Sequence, residues 1–280
     1  MNKKKILVVA MTLSMVAILA LGATLAYFTD TDYDKNVMTL GGVEIEQIEQ
    51  QRDENGELKP FEDNKPLMPA VYPDTITEDN IVGDDGFFHK DVQNDVDKLI
   101  SVKNTADEKS LNKDAYVRTL IAFEGRSDVQ GVYIGKLWNK GMWDRNWVAK
   151  KNVDGSDFNG DDGFQSTDAN GLVNAREVVI DGVVHTVIEC IYVGTEFSEE
   201  PGVLPAGKET PASLKQIFMA PTANNEISGW FGSDYTIYAI SQAVQTEGFT
   251  DAETALDTVF GDPAEVSDEV IYGWFNPTNN

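Results

Sequence analysis

Residues 176–193 constrain the fold more than any other stretch: Arg176-Glu177-Val178-Val179-Ile180, the dipeptide Asp181-Gly182, then an apolar-rich run from Val183 to Val193. Asp-Gly between β-branched runs predicts a two-residue type I′ turn, in which both central residues need positive φ, and hence a hairpin whose register is set locally. The same reading predicts more strands. Ala115, Val117, Thr119, Ile121 and Phe123 share one face of a period-two pattern, and Tyr116, Arg118, Leu120 and Ala122 share the other. Val43-Glu44-Ile45-Glu46-Gln47-Ile48 reads as a half-buried strand. Lys98 to Lys103, Leu214 to Met219 and Tyr235 to Val244 are rich in β-branched or aromatic residues. Asp53-Glu54-Asn55-Gly56 signals a turn, and the prolines at 60, 66, 69 and 73 predict a long loop with little regular structure from Lys59 to Gly86. Short strands between turn clusters, without alternating helices, predict an antiparallel β-sandwich with long loops.

One helix is expected near the C-terminus. Thr250-Asp251-Ala252-Glu253 reads as a capping box, with Thr250 as the cap, and Ala252, Ala255, Leu256, Val259 and Phe260 follow at helical spacing. Gly261 and Pro263 end it. This helix is expected to cover one edge or end of the sandwich, and a second short helix can start near Ser267.

Export is written into the first residues. Lys3, Lys4 and Lys5 precede an uncharged run from Ile6 to Gly22, followed by Ala23-Thr24-Leu25-Ala26-Tyr27-Phe28. A basic start, an apolar middle and small residues at Thr24 and Ala26 predict a signal peptide over residues 1–26, cut between Ala26 and Tyr27. The apolar run is on the short side of the roughly 20 residues a membrane span needs, with an uncleaved anchor as the alternative reading, and no stable span is expected after cleavage. The leader holds three lysines and no acid, so its removal takes the formal charge from −25 to −28. Such a polyanion is repelled by nucleic acid and by anionic lipid, which excludes nucleic-acid partners. With 41% apolar residues the chain is rich enough to bury a substantial core. Its single cysteine, Cys190, has no intramolecular partner for a disulfide and shares a strand face with Val184, Ile188 and Tyr192, so it reads as a small buried hydrophobe.

The residues around the cut carry a family resemblance. Leu21-Gly22-Ala23-Thr24-Leu25-Ala26-Tyr27-Phe28-Thr29-Asp30, with Asp32 and Asp34 behind it, resembles the leader of Gram-positive proteins processed by a SipW-type signal peptidase. That group includes the TasA and camelysin proteins of the cell surface and biofilm matrix. A second segment, Tyr238 to Gln245 running into Gly248-Phe249-Thr250-Asp251-Ala252, is similar to clostridial exported relatives of the group. The resemblance implies a mainly β, jelly-roll-like sandwich, a secreted or surface location, and a structural role in fibres. It also implies self-association or association with related matrix subunits, through an N-terminal strand donated to a neighbour.

Catalytic signals are sparse. His89 and His185 lie far apart, and the helical His-Glu-x-x-His pattern of zinc peptidases is missing. His185 and Glu189 share a strand face and read as a solvent-facing pair. No enzyme is therefore expected, although the camelysin resemblance raises a metallopeptidase as the least favoured reading. No cofactor is expected, with calcium left open: Asp157, Asn159 and Asp161 stand at positions 1, 3 and 5 of an oxygen-rich loop, with Asp168 at position 12. Gly163 falls one place late and Asp168 is short for a bidentate grip, which favours a plain polar loop. Trp138, Trp143 and Trp147 lie among Lys136, Lys140, Arg145 and Lys150, a basic aromatic concentration read as core or lid packing, with glycan stacking as its alternative.

The organisation expected is a leader (1–26), a mature N-terminal segment (27–41) able to act as a donor strand with Tyr27 and Phe28 as anchors, and a single sandwich domain (42–280). Insertions are expected near 59–90 and 131–170. The function expected is a secreted structural protein of the cell surface or extracellular matrix. The alternative is a monomeric extracellular module that binds calcium or glycan.

Overall fold

The computed structural model describes residues 26–30, 37–40, 43–62, 65–73, 87–88, 90–107, 113–124, 134–138, 143–144, 176–219 and 234–276. Thirteen strands and two helices are placed among them: β1 (Ala26–Asp30), β2 (Val37–Leu40), β3 (Ile45–Arg52), β4 (Leu58–Pro60), β5 (Lys65–Leu67), β6 (Val96–Asn104), β7 (Ala115–Glu124), β8 (Ile134–Trp138), β9 (Trp143–Asp144), β10 (Arg176–Ile180), β11 (Val183–Tyr192), β12 (Leu214–Met219), β13 (Asp234–Gln245), α1 (Ala252–Phe260) and α2 (Asp268–Phe275). Among the described residues no helix is long and apolar enough to cross a membrane.

The protein is mainly β, built on two sheets. The larger sheet runs β10-β11-β7-β13-β1-β5, with β2 also on β13 and β9 on β11; the smaller runs β4-β3-β6-β12-β8. Pairing is antiparallel except where β1 and β2 meet β13, and both of those ladders are parallel. The antiparallel expectation therefore fails at the N-terminal strands. A parallel neighbour cannot be reached by a tight turn, and β13 is supplied from the far end of the chain.

The hairpin forms as expected. Asp181 and Gly182 have φ of 51° and 81°, and Ile180 faces Val183 across the turn. Asp181 also accepts hydrogen bonds from Tyr272 Oη at 3.1 Å and Asn276 Nδ2 at 3.3 Å, so the turn is tied to α2 and the residue that follows it.

The two faces of the larger sheet are buried against different partners. Its inward residues, among them Val117, Ile121, Phe123, Ile188, Ile237 and Ala243, pack with Ile45, Val96, Ile100, Val102, Leu214 and Ile217 of the smaller sheet. Cys190 lies in this layer, fully buried as expected. The outward face also buries apolar residues. Leu120, Ala122, Val187 and Ile240 pack under Ile271, Trp274 and Phe275 of α2, while Tyr116, Ile191 and Val244 pack under Ala252, Ala255 and Leu256 of α1. A central strand apolar on both faces must be covered on both. So α1 lies on the sheet's outer face and not, as expected, on an edge or end.

Two local expectations are corrected. The cap of α1 is Asp251, whose carboxylate accepts from Thr254 N at 2.8 Å, while Thr250 Oγ1 donates to Asp251. A carboxylate at this position also meets the positive end of the helix dipole, which a hydroxyl one residue earlier does not. The proline-rich stretch expected to be loop contributes β4 and β5, both short and at sheet margins. Position 66 illustrates why: proline has no N–H to donate and is tolerated on an edge. The second helix begins after Ser267 as expected.

Candidate functional site

Strand β13 has two long sides. One is paired along its length with β7, from Ile237 opposite Phe123 to Gln245 opposite Ala115. The other is filled piecewise from the N-terminal segment. β1 pairs with the first part of β13 (Tyr27 with Asp234 through Asp30 with Ile237), and β2 with the last part (Val37 with Ser241 through Leu40 with Val244). Between the two pieces the smaller sheet supplies a substitute, because Gln47 Nε2 donates to Ala239 O at 3.4 Å. Each buried backbone group along this side needs a partner, and three separate segments provide them.

The outer side of β1 is closed by β5: Ala26, Tyr27 and Phe28 face Leu67, Pro66 and Lys65. Lys65 is in turn ion-paired to Glu62 at 3.1 Å. An edge strand that carries lysine and proline discourages further strand addition there. The residues expected as donor-strand anchors, Tyr27 and Phe28, thus have their backbones between β13 and β5. The expected cleavage junction, Ala26 and Tyr27, falls at the first residues of β1.

The expected calcium ligands Asp157, Asn159, Asp161 and Asp168 lie outside the described residues, as does His89. Among the described residues no group of three or more His, Cys, Asp or Glu side chains is placed to hold a metal ion. Trp138 closes β8, Trp143 opens β9, and Trp147 lies outside the described residues.

His185 and Glu189 do share a face, but it is not a solvent face: they are 2% and 3% exposed. They stand on the outer face of the larger sheet, which the helices cover. His185 Nδ1 lies 3.0 Å from Val183 O, a carbonyl that can only accept, so the proton sits on Nδ1; Nε2 has no hydrogen-bond partner. Burial holds this imidazole below its ordinary value, which keeps it neutral near pH 7. Its ring rests 5.2 Å from that of Tyr238.

Glu189 belongs to a constellation that sequence reasoning missed, centred on the fully buried Arg118. Arg118 donates through Nε to Gln242 Oε1 at 2.7 Å, and through Nη1 to Glu189 Oε1 at 2.7 Å and Asp257 Oδ1 at 2.9 Å. Its Nη2 donates to Gly261 O at 2.9 Å. One guanidinium thereby binds β13, β11, the side of α1 and the carbonyl just beyond it. Burial pushes the Glu189 carboxyl up to about 7 against the pull of Arg118. A signal was present in the sequence: Arg118 and Glu189 are opposite charges set between Tyr116 and Leu120 and between Val187 and Ile191 on one face of their strands. The arrangement is a clasp for α1, buried except at the Asp257 side chain, which is 27% exposed.

No protein-family model matches the chain, and neither curated proteins nor solved structures give a match.

Proposed function

We propose that this chain is an exported structural subunit of the bacterial cell surface or extracellular matrix, assembled by donating its N-terminal strands to a neighbour. The observation that carries the reading is the occupancy of β13: its free side is filled by β1 and β2, two short pieces from the opposite end of the sequence. A segment of identical sequence from a second copy presents the same backbone groups to that side, and strand addition of this kind draws its affinity from main-chain hydrogen bonds. The leader-like first residues and the resemblance to TasA and camelysin support the same reading, and the two packed sheets suit the jelly-roll-like sandwich that it implies. Processing between Ala26 and Tyr27 would then free the front of β1.

Deleting Tyr27 to Asp34 from the processed chain is expected to leave a folded monomer that forms no fibres, by size-exclusion chromatography and electron microscopy. Fibres that persist after the deletion would refute donation by this segment. A deletion variant that loses its β circular dichroism would instead assign the segment to the fold itself.

A further inference from the structure

The interior between the sheets contains a lysine pressed against a carboxylate. Glu49 on β3 pairs across the ladder with Ile100 on β6, and Gln50 with Leu99, so Lys98 stands diagonal to Glu49 and directly across from Gln51. Diagonal neighbours on adjacent strands are within reach of long side chains. Lys98 is fully buried, and its Nζ donates to Glu49 Oε2. The Phe61 ring lies 4.2 Å from Nζ. Burial holds the amine well below its ordinary value, toward the neutral, nucleophilic form.

The second carboxylate oxygen is held by a fixed donor. Gln47 Nε2 donates to Glu49 Oε1 at 2.8 Å. The Gln47 amide is oriented by Ser241, whose Oγ donates to Gln47 Oε1 at 2.8 Å and lies 3.1 Å from Thr119 Oγ1. An N–H aimed at Oε1 stabilises negative charge that develops there when a nucleophile adds to Cδ. Amine and carboxyl are meanwhile held together by neighbouring strands, which supplies proximity without further ordering. The Glu49 side chain is 17% exposed, so a small leaving molecule has a route to solvent.

We propose that Lys98 and Glu49 condense into an intramolecular amide, a covalent cross-link between β3 and β6. One proton passes from Nζ to Oε2, giving a neutral amine and a carboxylic acid. The Nζ lone pair then adds to Cδ, and the carbonyl electrons move onto Oε1, facing the Gln47 N–H. A second proton passes from Nζ to Oε2, the Cδ–Oε2 bond breaks, and the carbonyl re-forms as water departs. One N–C bond is made, one C–O bond is broken, Nζ keeps one hydrogen, and nothing is oxidised or reduced. The bond supplies covalent cohesion to a chain whose one cysteine is buried at Cys190.

High-resolution intact mass of the purified full chain in denaturant, with its N-terminus read in the same experiment, tests this. The expected mass is that of the sequence less one water, with a branched peptide joining Lys98 and Glu49 after digestion. The Lys98→Met variant is expected to show no deficit. The Gln47→Leu variant is expected to form the bond about 100-fold more slowly than wild type when the water-deficient fraction is followed by mass against time after cell-free synthesis, the loss typical of a missing oxyanion donor. A wild-type mass equal to that of the sequence overturns the proposal, whether or not either variant folds. A deficit of one ammonia overturns the Glu49 assignment, because it places the bond on a glutamine side chain. Equal rates for wild type and Gln47→Leu overturn the role assigned to the Gln47 N–H.

Discussion

Replacing Arg118 with methionine isolates the clasp beneath α1. Methionine keeps much of the length and the apolar packing where the guanidinium carbon lies 5.5 Å from the Trp274 ring and 5.9 Å from that of Phe260. It withdraws the donors that serve Glu189, Gln242, Asp257 and Gly261 O. Removing one partner of a buried ion pair costs about 3–5 kcal/mol, because the other charge is left behind. The Asp257 pair adds little, since that side chain is 27% exposed and exposed pairs contribute about 0–1 kcal/mol. A total near 4 kcal/mol is a large share of the roughly 5–15 kcal/mol of a typical domain. At about 2–4 °C per kcal/mol for a chain of this size, it lowers Tm by about 8–16 °C.

The same variant carries a pH signature. The Glu189 carboxyl, ordinarily at 4.5, is raised to about 7 in the folded protein. A raised folded value means that this group's favourable contribution is complete below about 4.5 and is lost as pH climbs through about 7. Without Arg118 the folded value rises further and the loss extends to higher pH, so the destabilisation by Arg118→Met is expected to be larger at pH 8 than at pH 5. Arg118→Met/Glu189→Met is expected to recover more than half of it, since removing both charges leaves no unpaired one. Urea unfolding followed by tryptophan fluorescence at the two pH values provides the measurement. A loss under about 1 kcal/mol at pH 8, where a buried pair should give several, refutes the reasoning, as does a double variant no more stable than the single.

Two further substitutions test other parts of the fold. His185→Phe keeps a ring beside Tyr238; because the folded imidazole sits below its ordinary 6.5, its contribution is present above that pH and lost as pH falls, so the drop in Tm from pH 7 to pH 5 is expected to be smaller in the variant than in wild type. Gly202→Ala places a Cβ 2.7 Å from Tyr192 O at a φ of +80°, and chemical denaturation is expected to show a loss of about 2–3 kcal/mol, whereas a neutral result would mean that this turn rearranges freely.

Much of the sheet was legible because its information is local. Asp181-Gly182 can serve few purposes other than a type I′ turn, and β12 has the bounds its β-branched and aromatic content indicated. The alternation in β7 separated Val117 and Ile121 from Leu120 and Ala122 onto the faces that they occupy. His185 and Glu189 were placed on one face but given the wrong surroundings, because period two says which residues stand together and not what lies over them. Arg118, Lys98 and Gln47 were less legible still. Each is a polar residue on a strand, a pattern that fits a solvated position equally well until the opposing layer is known.

Residues and their near neighbours determined by themselves β3, β6, β7 and β10 to β13, the hairpin, the two helices and the buried setting of Cys190, since hydrophobic period, turn chemistry and capping act over a few positions. Tertiary structure alone decided that β1 and β2 run parallel on β13, that the helices cover a sheet face, and that Lys98 meets Glu49. These depend on which distant segments come together, and backbone and charge demands within a buried layer are met by whatever that layer brings near.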